Sequence, residues 1–162
     1  DAATTGDQDV AAAAPVTSPD EVTTGSDLEF DQRGVVIGGC VLSAQPVTFT
    51  DASQIVVAHG YTWCWGAASN YLSRNRICLE WLVPGGGYWT EFTCYPNAGW
   101  SIPATGKRQN VAAHQCTHGQ ILYRTHSYGQ YRSSSLAPWR WIGAGQVTGV
   151  ERSYFCSSGG GG

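Results

Sequence analysis

From residue 33 onward the chain alternates short runs of β-branched and aromatic residues with Gly, Pro, Asn and Ser. Runs of this kind favour extended backbone, and the small residues between them mark reversals. The pattern predicts strands near 34–38, 47–50, 55–59, 61–65, 77–83, 88–95, 110–115, 120–127, 139–142 and 147–155. No stretch sustains the spacing of an amphipathic helix. The expected fold class is all-β, a disulfide-stapled antiparallel β-sandwich of about eight strands, with a closed barrel as the alternative.

The first 31 residues read differently. They hold eight of the chain's 12 carboxylates and no Lys or Arg, and they contain no cysteine. Such a stretch cannot bury enough apolar surface to fold alone, and Pro15 and Pro19 interrupt helix growth from the alanines at 11–14. Residues 1–31 are expected to form a flexible, extended or disordered acidic arm, residues 32–158 the body, and the glycines at 159–162 a flexible tail. The body then carries all nine Lys and Arg against Asp51, Glu80, Glu91 and Glu151, so an acidic arm is attached to a basic body. Within the arm, Asp7, Asp9, Val10, Val16, Asp20, Glu21, Val22, Asp27, Leu28, Glu29 and Phe30 make up alternating acidic and apolar patches. They are the candidate partner-binding residues.

Composition narrows the class further. Only 13% of residues are charged, Gly numbers 21, and Met is absent. Six cysteines, an even set, suggest a disulfide framework and a processed, secreted chain. Cys78 and Cys94 are equidistant from Gly86, so symmetric pairing of the hairpin places them opposite each other. Cys40–Cys64 and Cys116–Cys156 are the most local pairings of the remainder, among several that stay open. The same symmetric register puts Glu80 across from Phe92 and Glu91 across from Trp81, on opposite faces of the ribbon. Carboxylates so arranged cannot flank one glycosidic bond as acid and base.

Other chemistry is weakly marked. His114, Cys116 and His118 alternate as ligands on one strand face would, but Cys116 is expected in a disulfide, so no metal site and no cofactor are expected. There is no G-x-S-x-G elbow, and an even cysteine set leaves no evident thiolate for nucleophilic catalysis. The glycines at 85–87 and the pair Gly143/Gly145 read as turns rather than phosphate loops. Trp63/Trp65 and Trp139/Trp141 each present two indoles on one strand face, as sugar-stacking platforms do. In a chain without Met and with few Leu, filling the core is the stronger expectation for them. Arg74/Arg76 and Lys107/Arg108 are small basic clusters suited to acidic protein surface and too sparse to track nucleic acid. No apolar run is long enough for a membrane-spanning helix. Neither nucleic acid nor membrane is an expected partner.

The acidic Ala/Thr/Pro arm, the small cysteine-rich β body and the stretch from Cys116 through His118, Gly119, Tyr123 and Arg124 to Thr125 together resemble small secreted actinobacterial proteins. The chain is most similar to the adaptor subunit of streptomycete umbrella toxin particles. The resemblance implies a secreted, non-enzymatic adaptor in an antibacterial assembly. It implies an arm that enters a cleft of a lectin-like subunit and a body that docks on the large toxin-bearing subunit. Three alternatives remain: a carbohydrate-binding module using the Trp pairs, a protease inhibitor using the loop from Tyr95 to Gly106, and a small hydrolase with an unrecognised site.

Overall fold

The computed structural model describes residues 18–116 and 119–157, and the side chains of all of these except 26–30. The elements are nine strands: β1 (Val22–Phe30), β2 (Val36–Thr50), β3 (Ile55–Gly66), β4 (Leu72–Leu82), β5 (Trp89–Tyr95), β6 (Lys107–Gln115), β7 (Gly119–Arg132), β8 (Arg140–Thr148) and β9 (Arg152–Cys156). They form two antiparallel sheets, one ordered β1-β2-β3-β6 and the other β5-β4-β7-β8, with β9 also paired to β7. The two sheets face each other as an all-β sandwich. Among the described residues no helix is long and apolar enough to cross a membrane.

Several predicted strands join into longer ones. The pattern breaks at Gly60, yet β3 runs straight through it, because this glycine faces the opposite sheet where no side chain fits. A Cβ there would meet Ser127 Oγ at 2.3 Å, Ile77 Cδ1 at 2.6 Å and the Ser43 carbonyl at 2.9 Å. Gly60 is thus a site of close sheet approach rather than a turn. β2 likewise continues past Pro46, with a register shift between Gln45 and Thr48 that accommodates the proline.

The largest correction concerns the arm. Residues 22–30, expected as the distal part of a free extension, are strand β1, paired with β2 from Val22 opposite Ala44 to Phe30 opposite Val36. Acidic composition masked the β-branched run Val22-Thr23-Thr24, and pairing with β2 satisfies a backbone that would otherwise need water. Ahead of the strand, the Glu21 carboxylate accepts hydrogen bonds from Tyr61 Oη at 2.9 Å, Gln45 Nε2 at 3.1 Å and Ser43 Oγ at 3.3 Å. Asp20 pairs with Arg152 at 3.1 Å. Glu21, Asp20 and Val22 therefore belong to the body. Asp7, Asp9, Val10 and Val16, and the glycines at 159–162, lie outside the described residues, as do the side chains of Asp27, Leu28, Glu29 and Phe30.

Two apolar clusters fill the space between the sheets. One gathers Val56, Ile77, Leu79, Ile121 and Tyr123, and the other Leu42, Tyr131, Ile142 and the Cys40–Cys64 bridge. Buried polar groups also join the sheets. Asn75, wholly buried, donates to Thr62 Oγ1 at 3.1 Å and to the Arg108 carbonyl at 2.9 Å, and accepts from Asn110 at 2.6 Å. Three disulfides brace the body. Cys40–Cys64 and Cys78–Cys94 each join directly opposed residues of neighbouring strands, with Cα atoms 4.0 Å apart, and Cys116–Cys156 ties the end of β6 to the end of β9, one in each sheet. Such bridges persist in an oxidising compartment.

Removing residues 1–17 should leave the melting temperature almost unchanged, since the stretch holds no cysteine and no aromatic residue and has little apolar surface to bury. Removing residues 1–30 strips β1 and the Glu21 anchor and should lower it by several degrees, because a loss of about 1 kcal/mol already shifts a domain of this size by roughly 2–4 °C. Thermal melts of the two truncations check this.

Candidate functional site: the outward face of the five-stranded sheet

Alternation along β4 and β7 decides what this face carries. Ile77 and Leu79 on β4, and Ile121, Tyr123, Thr125 and Tyr131 on β7, point inward and are buried. Outward positions are therefore Arg74, Arg76, Cys78 and Glu80 on β4, and Arg124, His126, Tyr128, Gln130 and Arg132 on β7. Cross-strand pairing sets them in rows, with Arg74 opposite Gln130, Arg76 opposite Tyr128, Cys78 opposite His126, and Glu80 opposite Arg124. Few positions of this face are aliphatic.

The hairpin register corrects the reading of the two glutamates. Cys78 faces Cys94 and Leu79 faces Thr93, but the next pairs are Glu80 with Glu91 and Trp81 with Thr90. Phe92 is an extra residue in β5, a β-bulge, and its ring stacks on Trp81 at 4.9 Å and lies 4.2 Å from the His114 ring. The bulge shifts everything beyond it by one residue, so Glu80 and Glu91 share the outward face instead of opposing ones.

A polar network then runs across the sheet. Glu80, only 6% exposed, accepts from Arg124 Nε at 2.8 Å, and its other oxygen lies 2.6 Å from His126 Nδ1. The far nitrogen of His126 contacts Gln146 Oε1 at 2.7 Å. The imidazole stacks on Tyr128 at 4.3 Å, and the Tyr128 hydroxyl donates to Glu91 at 2.8 Å. Arg76 stands 4.0 Å from Glu91. Burial pushes the Glu80 carboxyl up, but hydrogen bonds and charge from His126 and Arg124 outweigh it and hold its pKa below the usual value. Burial and the Glu91 carboxylate both push the Tyr128 hydroxyl up.

Aromatic rings and guanidinium groups interleave over the rest of the face. Arg124 lies 4.2 Å from the centroid of Trp89. Arg74 stands 4.0 Å from Trp139 and 5.0 Å from Trp100, and Arg132 lies 4.4 Å from Trp139. Trp100 and Trp141 meet at 5.8 Å. The expectation that the Trp pairs fill the core holds for Trp65, which is buried, and fails for Trp141, which is 53% exposed. Tyr61, Tyr123 and Tyr131 supply the large buried rings instead. Trp63 is half-buried with Lys107 5.2 Å away, on the other sheet.

The remaining candidates are placed as follows. Cys116 is bonded to Cys156 and its sulfur is not free to bind metal, the His114 ring packs on Phe92, and His118 lies outside the described residues. Cys78, Cys94 and Glu91 cluster, but both sulfurs are joined in the disulfide. The loop from Tyr95 to Gly106 is pinned to β4 through Ser101 N to the Asn75 carbonyl at 2.9 Å and through paired backbone bonds between Ala104 and Ser73. A depression of about 530 Å³ lies beside the β4–β5 turn against Leu82, Val83, Gln120 and Leu122, and none of its described lining residues titrates.

Replacing Glu80 by Gln should destabilise the fold by about 1–3 kcal/mol at neutral pH, since a charged acceptor of two donors is lost. The depressed pKa fixes the pH dependence. This carboxylate contributes stability above its unfolded value, near 4.5, and loses it as pH falls through the lower folded value. The stability gap between the native protein and E80Q should therefore be full at pH 6–7 and close progressively below about pH 4. Denaturant titrations across that range measure it.

No family model matches the chain, and no curated protein or solved structure matches it.

Proposed function

We propose that the chain is a secreted, non-enzymatic adaptor that joins two other proteins. The observation that carries this reading is the outward face of the five-stranded sheet, a preorganised array of arginines and aromatic rings. Its own carboxylates, Glu80 and Glu91, are already engaged. Trp, Tyr and Arg held in fixed geometry are the side chains that anchor protein interfaces. Residues 1–17, with Asp1, Asp7 and Asp9 and no Lys or Arg, provide a second binding segment of opposite sign.

The network argues for binding rather than turnover. The two carboxylates that the bulge brings to one face are taken up inside the sheet, Glu80 by Arg124 and His126 and Glu91 by Tyr128. In line with the resemblance to umbrella-particle adaptors, the acidic stretch engages a basic cleft of a lectin-like subunit, and the body docks on the large toxin-bearing subunit. The disulfides support an extracellular site of action.

One observation favours a second reading, a carbohydrate-binding module. Trp141 borders a shallow depression of about 180 Å³ with Tyr128, Gly145 and Gln146, an aromatic platform beside polar groups.

Affinity capture from culture supernatant, with the full chain and a variant lacking residues 1–17 in parallel, tests the adaptor. The full chain should retain two partners and the shortened one should lose one of them. Salt should slow association at the acidic stretch more than it speeds dissociation. Capture of the same partners by both proteins removes the stretch from the mechanism. The adaptor reading also expects blank glycan arrays. Sugar binding that disappears in a folded W141A protein establishes the second reading instead.

A further inference from the structure

The face described above is not electrostatically uniform. At one end Arg76 and Arg124 stand against Glu91 and Glu80. At the other, Arg74 and Arg132 converge on the same indole, Trp139, at 4.0 and 4.4 Å, and neither forms an ion pair among the described residues. Arg74 is oriented by Gln130, whose Oε1 accepts from its Nε at 3.0 Å and its Nη2 at 2.6 Å. The Arg132 Nε is buried and has no hydrogen-bond partner among the described residues. Burial and the neighbouring Arg132 charge both depress the pKa of Arg74. Two like charges beside one ring, neither paired with a carboxylate of the described residues, form a site that an external carboxylate would neutralise.

The surroundings indicate what bears that carboxylate. Trp100 and Trp141 adjoin the pair, and the connections that carry Trp100 and lead to Trp139 each expose an aliphatic side chain. Ile102, in the connection after Trp100, is 75% exposed, and Leu136, in the connection leading to Trp139, is 95% exposed. Exposed aliphatics around a Trp and Arg centre fit a peptide with both acidic and apolar residues. A nucleic acid would use a longer cationic track. An acidic glycan would gain little from Leu136 and Ile102.

We propose that Arg74, Arg132 and Trp139 form a docking site for an acidic, apolar-flanked segment of another protein. This deepens the adaptor reading by assigning the body's docking face. It is separable from that reading, because it is tested on the body without reference to the N-terminal stretch.

The experiment titrates the full chain with a short fluorescein-labelled Glu/Leu peptide and, in separate arms, with a Lys/Leu peptide, an oligogalacturonate and a single-stranded oligonucleotide. Anisotropy and tryptophan fluorescence are recorded. The Glu/Leu peptide should bind saturably and perturb the indole emission. The double variant R74Q/R132Q, shown to be folded by circular dichroism, should weaken binding about tenfold or more. R74K/R132K, which keeps the charge and loses the planar fork, should fall between. R132E provides a single-site check and should also weaken binding. Unchanged affinity in R132E and R74Q/R132Q overturns the site, as does absence of peptide binding to the native chain. Tighter binding of the oligogalacturonate or the oligonucleotide overturns the choice of partner. Tighter peptide binding after removal of residues 1–17 assigns the site to the chain's own acidic stretch and likewise overturns that choice.

Discussion

The polar network on the outward face of the five-stranded sheet depends on one extra residue. A regular strand alternates sides, so a hairpin with Cys78 opposite Cys94 would put Glu91 on the side away from Glu80. The bulge at Phe92 breaks that alternation between the disulfide and the glutamates. It keeps the phenyl ring stacked on Trp81 while Cys94 and Glu91 both face outward with Cys78, Glu80 and His126. Packing of the partly buried Phe92 against Trp81 and His114 favours the bulge, and the disulfide at Cys94, two residues on, limits register slip. Without this offset, Tyr128 would lose Glu91 as acceptor, and Arg76 would lose its neighbouring carboxylate.

Beneath that face, a seam of small and polar residues fixes how closely the sheets meet. Gly60 and Gly129 bring the backbones close, since a Cβ at Gly129 would come within 2.8 Å of both Leu42 and Thr62. Thr62 meets Ser73 at 2.9 Å, and Ser127 Oγ donates to the Ser43 carbonyl at 2.9 Å. With Asn75 these contacts join the two sheets through directional bonds as well as apolar packing. Such bonds are specific to one relative placement of the sheets, whereas apolar contact alone tolerates sliding. A fixed sheet placement in turn keeps the outward rows in register.

Much of the architecture was legible in residue pattern: the all-β class, the β4–β5 hairpin and the facing of Cys78 and Cys94. The strand breaks were harder to read, because Gly60 looks the same in sequence whether it turns the chain or admits a neighbouring sheet. β1 was hidden by its charge, although Val22-Thr23-Thr24 carried the β signal. The bulge was illegible, since symmetric numbering about Gly86 is correct at the disulfide and wrong by one residue at Glu80. The arginine and tryptophan array could not be read from local spacing. Arg74 and Trp139 are far apart in the chain, and only the order β5-β4-β7-β8 brings them to one face. The alternation of Arg124, His126, Tyr128, Gln130 and Arg132 was the available sign that β7 turns a chemically rich side to solvent.

Charge partition across this face links its geometry to binding. Where arginines have internal carboxylates, as at Glu80 and Glu91, the charges hold side chains of different strands in place and leave little field for a partner. Where they do not, as at Arg74 and Arg132, orientation comes from Gln130 and Trp139, which constrain the guanidinium groups without neutralising them. A cation ordered by neutral contacts keeps its field and has already lost much of its side-chain entropy. That combination favours tight recognition of a carboxylate from outside, because the partner need not displace an internal acid. On the proposed reading, the two groups of arginines differ in whether a carboxylate lies beside them, as at Arg76 and Arg124, or only an amide and an indole, as at Arg74.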